Sequence, residues 1–84
     1  MPEKKLVGKV RHYFDKISVA VVDVEDVISL GDEISIEGHT TNFAQKVESM
    51  QIDKNPIEKA KKGQSIGLKV ADRVREGDKV FKIV

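Results

Sequence analysis

The sequence predicts an all-β fold, a small antiparallel β-barrel of about seven strands. A phrase of glycine, polar residue, any residue and β-branched residue recurs three times, at Gly31-Asp32-Glu33-Ile34, Gly63-Gln64-Ser65-Ile66 and Gly77-Asp78-Lys79-Val80. Glycine tolerates positive φ, so each copy suits a tight corner that feeds a strand. The runs between these corners are short and alternating or β-branched, and none has the length of an ordinary helix. One domain is expected over residues 1–84, with residues 1–4 outside its ordered part. A chain this short buries only about 60% of its unfolded surface, and barrel closure removes exposed edges.

Leu6 to His12 alternates, with Leu6, Gly8, Val10 and His12 on one face, and reads as a half-buried strand. Tyr13 to Lys16 is a turn carrying two aromatic rings. Ile17 to Val24 is β-branched on both faces and reads as a central strand. An acidic connector follows, then the first glycine corner and the alternation Glu33 to Glu37. Gly38 to Thr41 reads as a hairpin connection. From Phe43 to Ile52 the apolar residues change parity, which predicts a β-bulge near Glu48-Ser49. Asn55-Pro56-Ile57 fits only an edge or turn, because proline lacks the ladder donor. Glu58 to Lys62 has room for one helical turn. Ser65 to Val70 and Lys79 to Val84 complete the set. The expected core is Val10, Val19, Val21, Ile34, Ile36, Val47, Ile66, Leu68 and Val80, the inward phase of these strands.

Composition narrows the chemistry. There are no cysteines, hence no disulfide and no thiolate metal site, and two histidines are few for a zinc centre. Asp23, Glu25 and Asp26 lack the ligand spacing of a calcium loop. No serine lies in a nucleophile-elbow context, so catalytic residues, metals and cofactors are not expected. The N-terminus lacks a signal-peptide core and no run spans a membrane, which points to a cytoplasmic protein. Net charge is +1, but residues 17–45 hold six acids and no Lys or Arg, while both flanking segments are basic. Separation of these segments in space would make one acidic and one basic side.

Gly8-Lys9-Val10, Leu30 to Gly38, Val47 to Gln51, Ala60 to Val70 and Arg75 to Val80, in that order and spacing, resemble the second domain of the translational GTPases, such as elongation factor Tu. The likeness runs from Leu6 to Val84. Similar domains also stand at the end of some collagenase-like peptidases and as short elongation-factor-like proteins. The phosphate loop of the GTPases is missing, so GTP is not an expected ligand. The resemblance implies a non-catalytic translation-related module contacting tRNA, ribosomal RNA or the ribosome. The family's 3′-end pocket positions fall on Gln51 and Lys61, which replace its carboxylate and arginine and weaken that pocket.

Arg11, Tyr13, Arg73 and Arg75 combine charge with a stacking ring near strand ends and are the candidate RNA-contacting residues. Interleaved acids offer the plainer alternative of a solvated face with ion pairs. Tyr13 and Phe14 either stack an unpaired base or cap one end of the barrel. The rival reading is a protein-interaction module or accessory subunit on the same barrel.

Overall fold

The three glycine phrases build one turn three times over. The computed structural model describes residues 3–83. In the turns 29–32, 61–64 and 75–78 the last N–H donates to the first carbonyl, over 3.1, 3.2 and 3.1 Å. The third residue is Gly31, Gly63 or Gly77, at φ 88°, 91° and 91°. Positive φ at that position alone is the requirement of a type II turn. The fourth residue folds its side chain back. Asp32, Gln64 and Asp78 accept the N–H of Ser29, Lys61 and Arg75 over 2.8, 2.7 and 2.8 Å. Each glycine N–H then donates to a buried valine carbonyl, of Val47, Val24 and Val10 respectively. The same valine returns its N–H to the carbonyl of Asp32, Gln64 or Asp78. Every corner is thus pinned to a strand by a reciprocal pair of main-chain bonds.

Among the described residues ten strands result: β1 (Lys4–Phe14), β2 (Val19–Val24), β3 (Ile28–Ser29), β4 (Glu33–Glu37), β5 (Asn42–Lys46), β6 (Met50–Ile52), β7 (Asn55–Ile57), β8 (Lys59–Ala60), β9 (Ser65–Lys69) and β10 (Lys79–Ile83). Eight form one antiparallel sheet in the order β5-β4-β10-β1-β2-β9-β6-β7, and β3 pairs with β8. The all-β antiparallel expectation stands. The closed barrel does not, because the sheet ends in two strands, β5 and β7, that do not pair with each other. Lys4 is the first residue of β1. Met1, Pro2 and Val84 lie outside the described residues.

Inside the fold, seven of the expected core residues are buried, among them Ile34, Ile36 and Leu68 at 0% exposure. Val19 and Val21 are not; Ala20, Val22 and Val24 take the inward places. A run that is β-branched at nearly every position carries no parity signal, so pairing decides, and Ala20 and Val22 stand opposite the buried Leu68 and Ile66. In β1 the register shifts between Leu6 and Gly8 and again between Val10 and His12. These bulges put Val7, Val10 and Tyr13 inward in place of the strict alternation.

The bulge expected near Glu48-Ser49 is instead a break between two strands, with β5 ending at Lys46 and β6 starting at Met50. Val47 leaves the sheet to bond the corner at Gly31 and Asp32. Glu58 to Lys62 forms no helical turn; it holds β8, which pairs with β3. Asn55–Ile57 is an edge strand, as its proline requires. The β6–β7 hairpin turns through Asp53 and Lys54, both at positive φ, 50° and 68°.

Basic and acidic segments do not separate either. The sheet order places basic β1 and β10 between acidic β2 and β4. Lys4 pairs with Glu37, Lys5 with Asp26, Arg11 with Asp23 and Lys82 with Asp32.

Candidate binding cleft

Where the sheet fails to close, the free side of β5 faces residues 69–75. One side chain spans this gap. Gln45 donates its Nε2 to the carbonyl of Lys69 over 3.0 Å and accepts the N–H of Ala71 at Oε1 over 2.6 Å. A carbonyl and an N–H two residues apart are what a strand offers along one edge. The carboxamide therefore stands in for a peptide group. Val70 and Val74 on the same segment are buried, so the backbone opposite β5 is anchored from beneath.

Two clefts lie along this seam. The smaller, about 110 Å³, is walled by Gln45, Lys46 and Glu48 against residues 69–71. The larger, about 280 Å³, lies between the hairpin residues 40–43 and Asp72, Arg73 and Arg75. The hairpin forms because Gly38 donates to the Thr41 carbonyl over 2.7 Å and Glu37 stands opposite Asn42. A side chain at Gly38 would collide with the buried carboxylate of Asp78, so this glycine lets the hairpin and the third corner approach. Asp78 in turn holds the Arg75 N–H, and Asp72 Oδ1 holds the Arg73 N–H over 2.7 Å. Both arginine backbones are fixed by carboxylates, while their guanidinium groups form no ion pair among the described residues. The cleft thus collects two cations, the Asp72 carboxylate, the exposed Thr40 and Asn42 and one half-buried ring, Phe43.

The remaining sequence candidates lie elsewhere. Arg11 sits on β1 with its guanidinium 3.6 Å from Asp23, which also accepts the Ser65 hydroxyl over 2.7 Å. Tyr13 packs against the core, and Phe14 is 47% exposed, edge-on to His12, so Tyr13 rather than Phe14 covers the interior. Neither Arg11 nor Tyr13 lines the cleft of Arg73 and Arg75. Gln51 on β6 lies over Gly67, where an added Cβ would come within 3.2 Å of it. Lys61 is exposed in the second corner, and its N–H is held by Gln64. The four proposed contacts therefore divide between separate surfaces, and only Arg73 and Arg75 share one. Thr40, Asn42, Phe43 and Gln45 were missed, because a polar hairpin and a strand glutamine carry no signal until the strand order places them at an edge.

Among the described residues two carboxyl groups are perturbed. The Lys5 ammonium, then the Val27 N–H, hold Asp26 below the ordinary 3.8. The Lys4 ammonium, then the Ser35 hydroxyl, hold Glu37 below the ordinary 4.5. Among the described residues no three His, Cys, Asp or Glu side chains gather as metal ligands, and no helix is long and apolar enough to cross a membrane.

Comparison with known proteins overturns the translation-factor resemblance. Residues 2–79 match the family model described as the peptidase family U32 C-terminal domain. An uncharacterized protease of Methanocaldococcus jannaschii is 41% identical over 76 residues, which are 89% of this chain and 19% of that protein. A collagenase of Porphyromonas gingivalis is 40% identical over 82 residues, 95% of this chain and 23% of its own length. The chain thus spans about a fifth of the length of these curated relatives. Among solved structures, the C-terminal domain of a Geobacillus thermoleovorans protein assigned to the U32 peptidases superposes with a TM-score of 0.87. It is 23% identical, and the match covers 93% of this chain and 91% of that one. The ordered segments that resemble elongation factor Tu include the three glycine corners, which specify a type of corner and not a function, and the peptidase-terminal domains named beside that resemblance are the ones the comparisons support.

Proposed function

The chain belongs to the family of U32 peptidase C-terminal domains, and on that premise we propose that it is a non-catalytic accessory domain that holds extended polypeptide for a peptidase unit. The observation that carries the reading is the match over residues 2–79 to a domain of peptidases, combined with relatives about five times longer than the chain. Among the described residues no serine hydroxyl is hydrogen-bonded to a histidine, the pairing a serine nucleophile needs. Ser35 donates to Glu37, Ser65 donates to Asp23, and His12 lies 3.1 Å from Glu76. The hairpin end of the β5 edge, which pairs with no strand and borders the larger cleft short of the Gln45 bridge, supports a role in holding an extended chain, because an unpaired strand edge is a template for another strand.

Titration of gelatin, an unfolded polypeptide, into the 84-residue chain is the test. Saturable binding is expected, with the gelatin left at full length after prolonged incubation. Hydrolysis by the chain alone, or the absence of binding, contradicts the reading.

A further inference from the structure

We infer that the cleft between the 40–43 hairpin and Arg73–Arg75 is a carboxylate-binding subsite for an extended peptide laid along the hairpin end of the β5 edge, short of the Gln45 bridge. The inference rests on the polypeptide-holding reading and adds which face holds the peptide and which chemical group anchors it.

Arginine usage is the first ground. The chain has three arginines. Arg11 lies 3.6 Å from Asp23 on another surface, whereas Arg73 and Arg75 meet in one cleft without an ion-pair partner among the described residues. The Asp72 carboxylate lies beside them and is engaged by the Arg73 N–H, so two cations face one anion. A planar guanidinium offers a fork matched to a carboxylate, and such charge-assisted pairs are about twice as strong as neutral hydrogen bonds.

Edge geometry is the second ground. β5 is the end strand of the sheet, and among the described residues the segment across the gap is bonded to it through the Gln45 side chain. A peptide lying along β5 would find the larger cleft at the Asn42 end of the strand and the Gln45 bridge near the other. The two arginines sit at the hairpin end, so they would take a carboxylate at one end of that peptide or on a side chain there. The exposed Thr40 and Asn42 add neutral donors, and the Phe43 ring gives one apolar wall. A polynucleotide is the weaker fit, since the cleft holds one half-buried ring and an anion of its own.

The test uses isotope-labelled chain and three versions of one neutral glycine-rich hexapeptide: free C-terminal carboxylate, C-terminal amide, and amide with one internal glutamate. At low salt the free acid or the glutamate peptide should bind roughly ten-fold tighter than the plain amide. The tighter of the two identifies the source of the carboxylate. Amide shifts should gather at residues 40–46 and 71–75. Arg73→Gln and Arg75→Gln, both at exposed positions, should each remove the preference for the acid while leaving the melting temperature unchanged. Lys16→Gln, outside the cleft, should leave binding as it was. Equal affinity for all three peptides overturns the inference. So do shifts gathered on another face, which would leave the polypeptide-holding reading intact, and so does binding of an oligonucleotide at these arginines with no response to peptide. If neither gelatin nor any peptide binds, both readings fall.

Discussion

Gln45 bonds Ala71 over 2.6 Å, and with its second contact to Lys69 it bridges the gap where β5 faces residues 69–71 without a ladder. An all-β chain that stops short of closure must satisfy or expose the groups along the gap. Here a carboxamide with one donor and one acceptor satisfies two of them. Gln45→Ala should leave the fold in place and cost about 1 kcal/mol, the net worth of hydrogen bonds whose freed main-chain groups water can reach. Hydrogen exchange at the Ala71 amide should accelerate more than exchange at Leu68 or Val22. Equal acceleration at all three sites would mean that the bridge is a global rather than a local tie.

Glycine substitutions should sort by mechanism. At Gly77 nothing lies within 4 Å of an added Cβ, but φ is 91°, so Gly77→Ala should cost about 1–2 kcal/mol through backbone strain alone. At Gly38 the obstacle is steric, because the added Cβ meets the Asp78 carboxylate. Gly38→Ala should therefore shift the hairpin and move amide signals of residues 40–43 and Arg75, while Gly77→Ala should not disturb the hairpin. Two-dimensional amide spectra of both variants check this.

The three glycine corners were legible because glycine at a fixed place in a repeated phrase has one strong physical reason to be there. Their reciprocal bonds to Val47, Val24 and Val10 were not, since those partners are distant in sequence and carry no mark of the role. Edge strand β7 was readable from Pro56, and the β4–β5 hairpin from Gly38. The phase of β2 was not, because Val19 to Val22 is apolar on both faces and only its pairing with Ile66 and Leu68 decides it. Of the candidate site, Arg73 and Arg75 could be found as exposed cations. That they share a cleft with Phe43, while Arg11 sits beside Asp23 on another surface, is visible only once the strands are ordered.

Lys54 holds φ at 68° in the two-residue turn between β6 and β7. Two-residue hairpins with positive φ at both positions favour glycine second, as in Asp-Gly. Lys54→Gly should therefore stabilise the chain, by about 0.5–1 kcal/mol once the added freedom of the unfolded state is deducted. Chemical denaturation measures the change. A loss of stability would show that the lysine is held by contacts stronger than its backbone strain.

Acid sensitivity should follow from Asp26 and Glu37. Both titrate below their ordinary values of 3.8 and 4.5 in the folded chain, held by Lys5 and Lys4. A carboxyl with a depressed folded pKa stabilises the fold above its unfolded pKa, and that contribution is lost as pH falls through the folded value. The melting temperature should thus be flat above pH 4.5 with respect to these groups and decline below it. The decline should be shallower in Asp26→Asn and in high salt, since both pairs are exposed to screening. A melting temperature that rises on acidification below pH 3.8 would contradict the assignment.

Fusion to a peptidase tests the accessory role most directly. The segment of the Porphyromonas gingivalis collagenase that matches this chain would be deleted, and this chain fused in its place. The proposed role predicts that deletion raises the KM for gelatin by about ten-fold and that fusion restores it. Turnover of a short fluorogenic peptide should stay within about two-fold throughout, because uniform binding of a long substrate is all that the domain supplies. Equal loss of activity on the short peptide and on gelatin would contradict the role and make the domain part of the catalytic machinery.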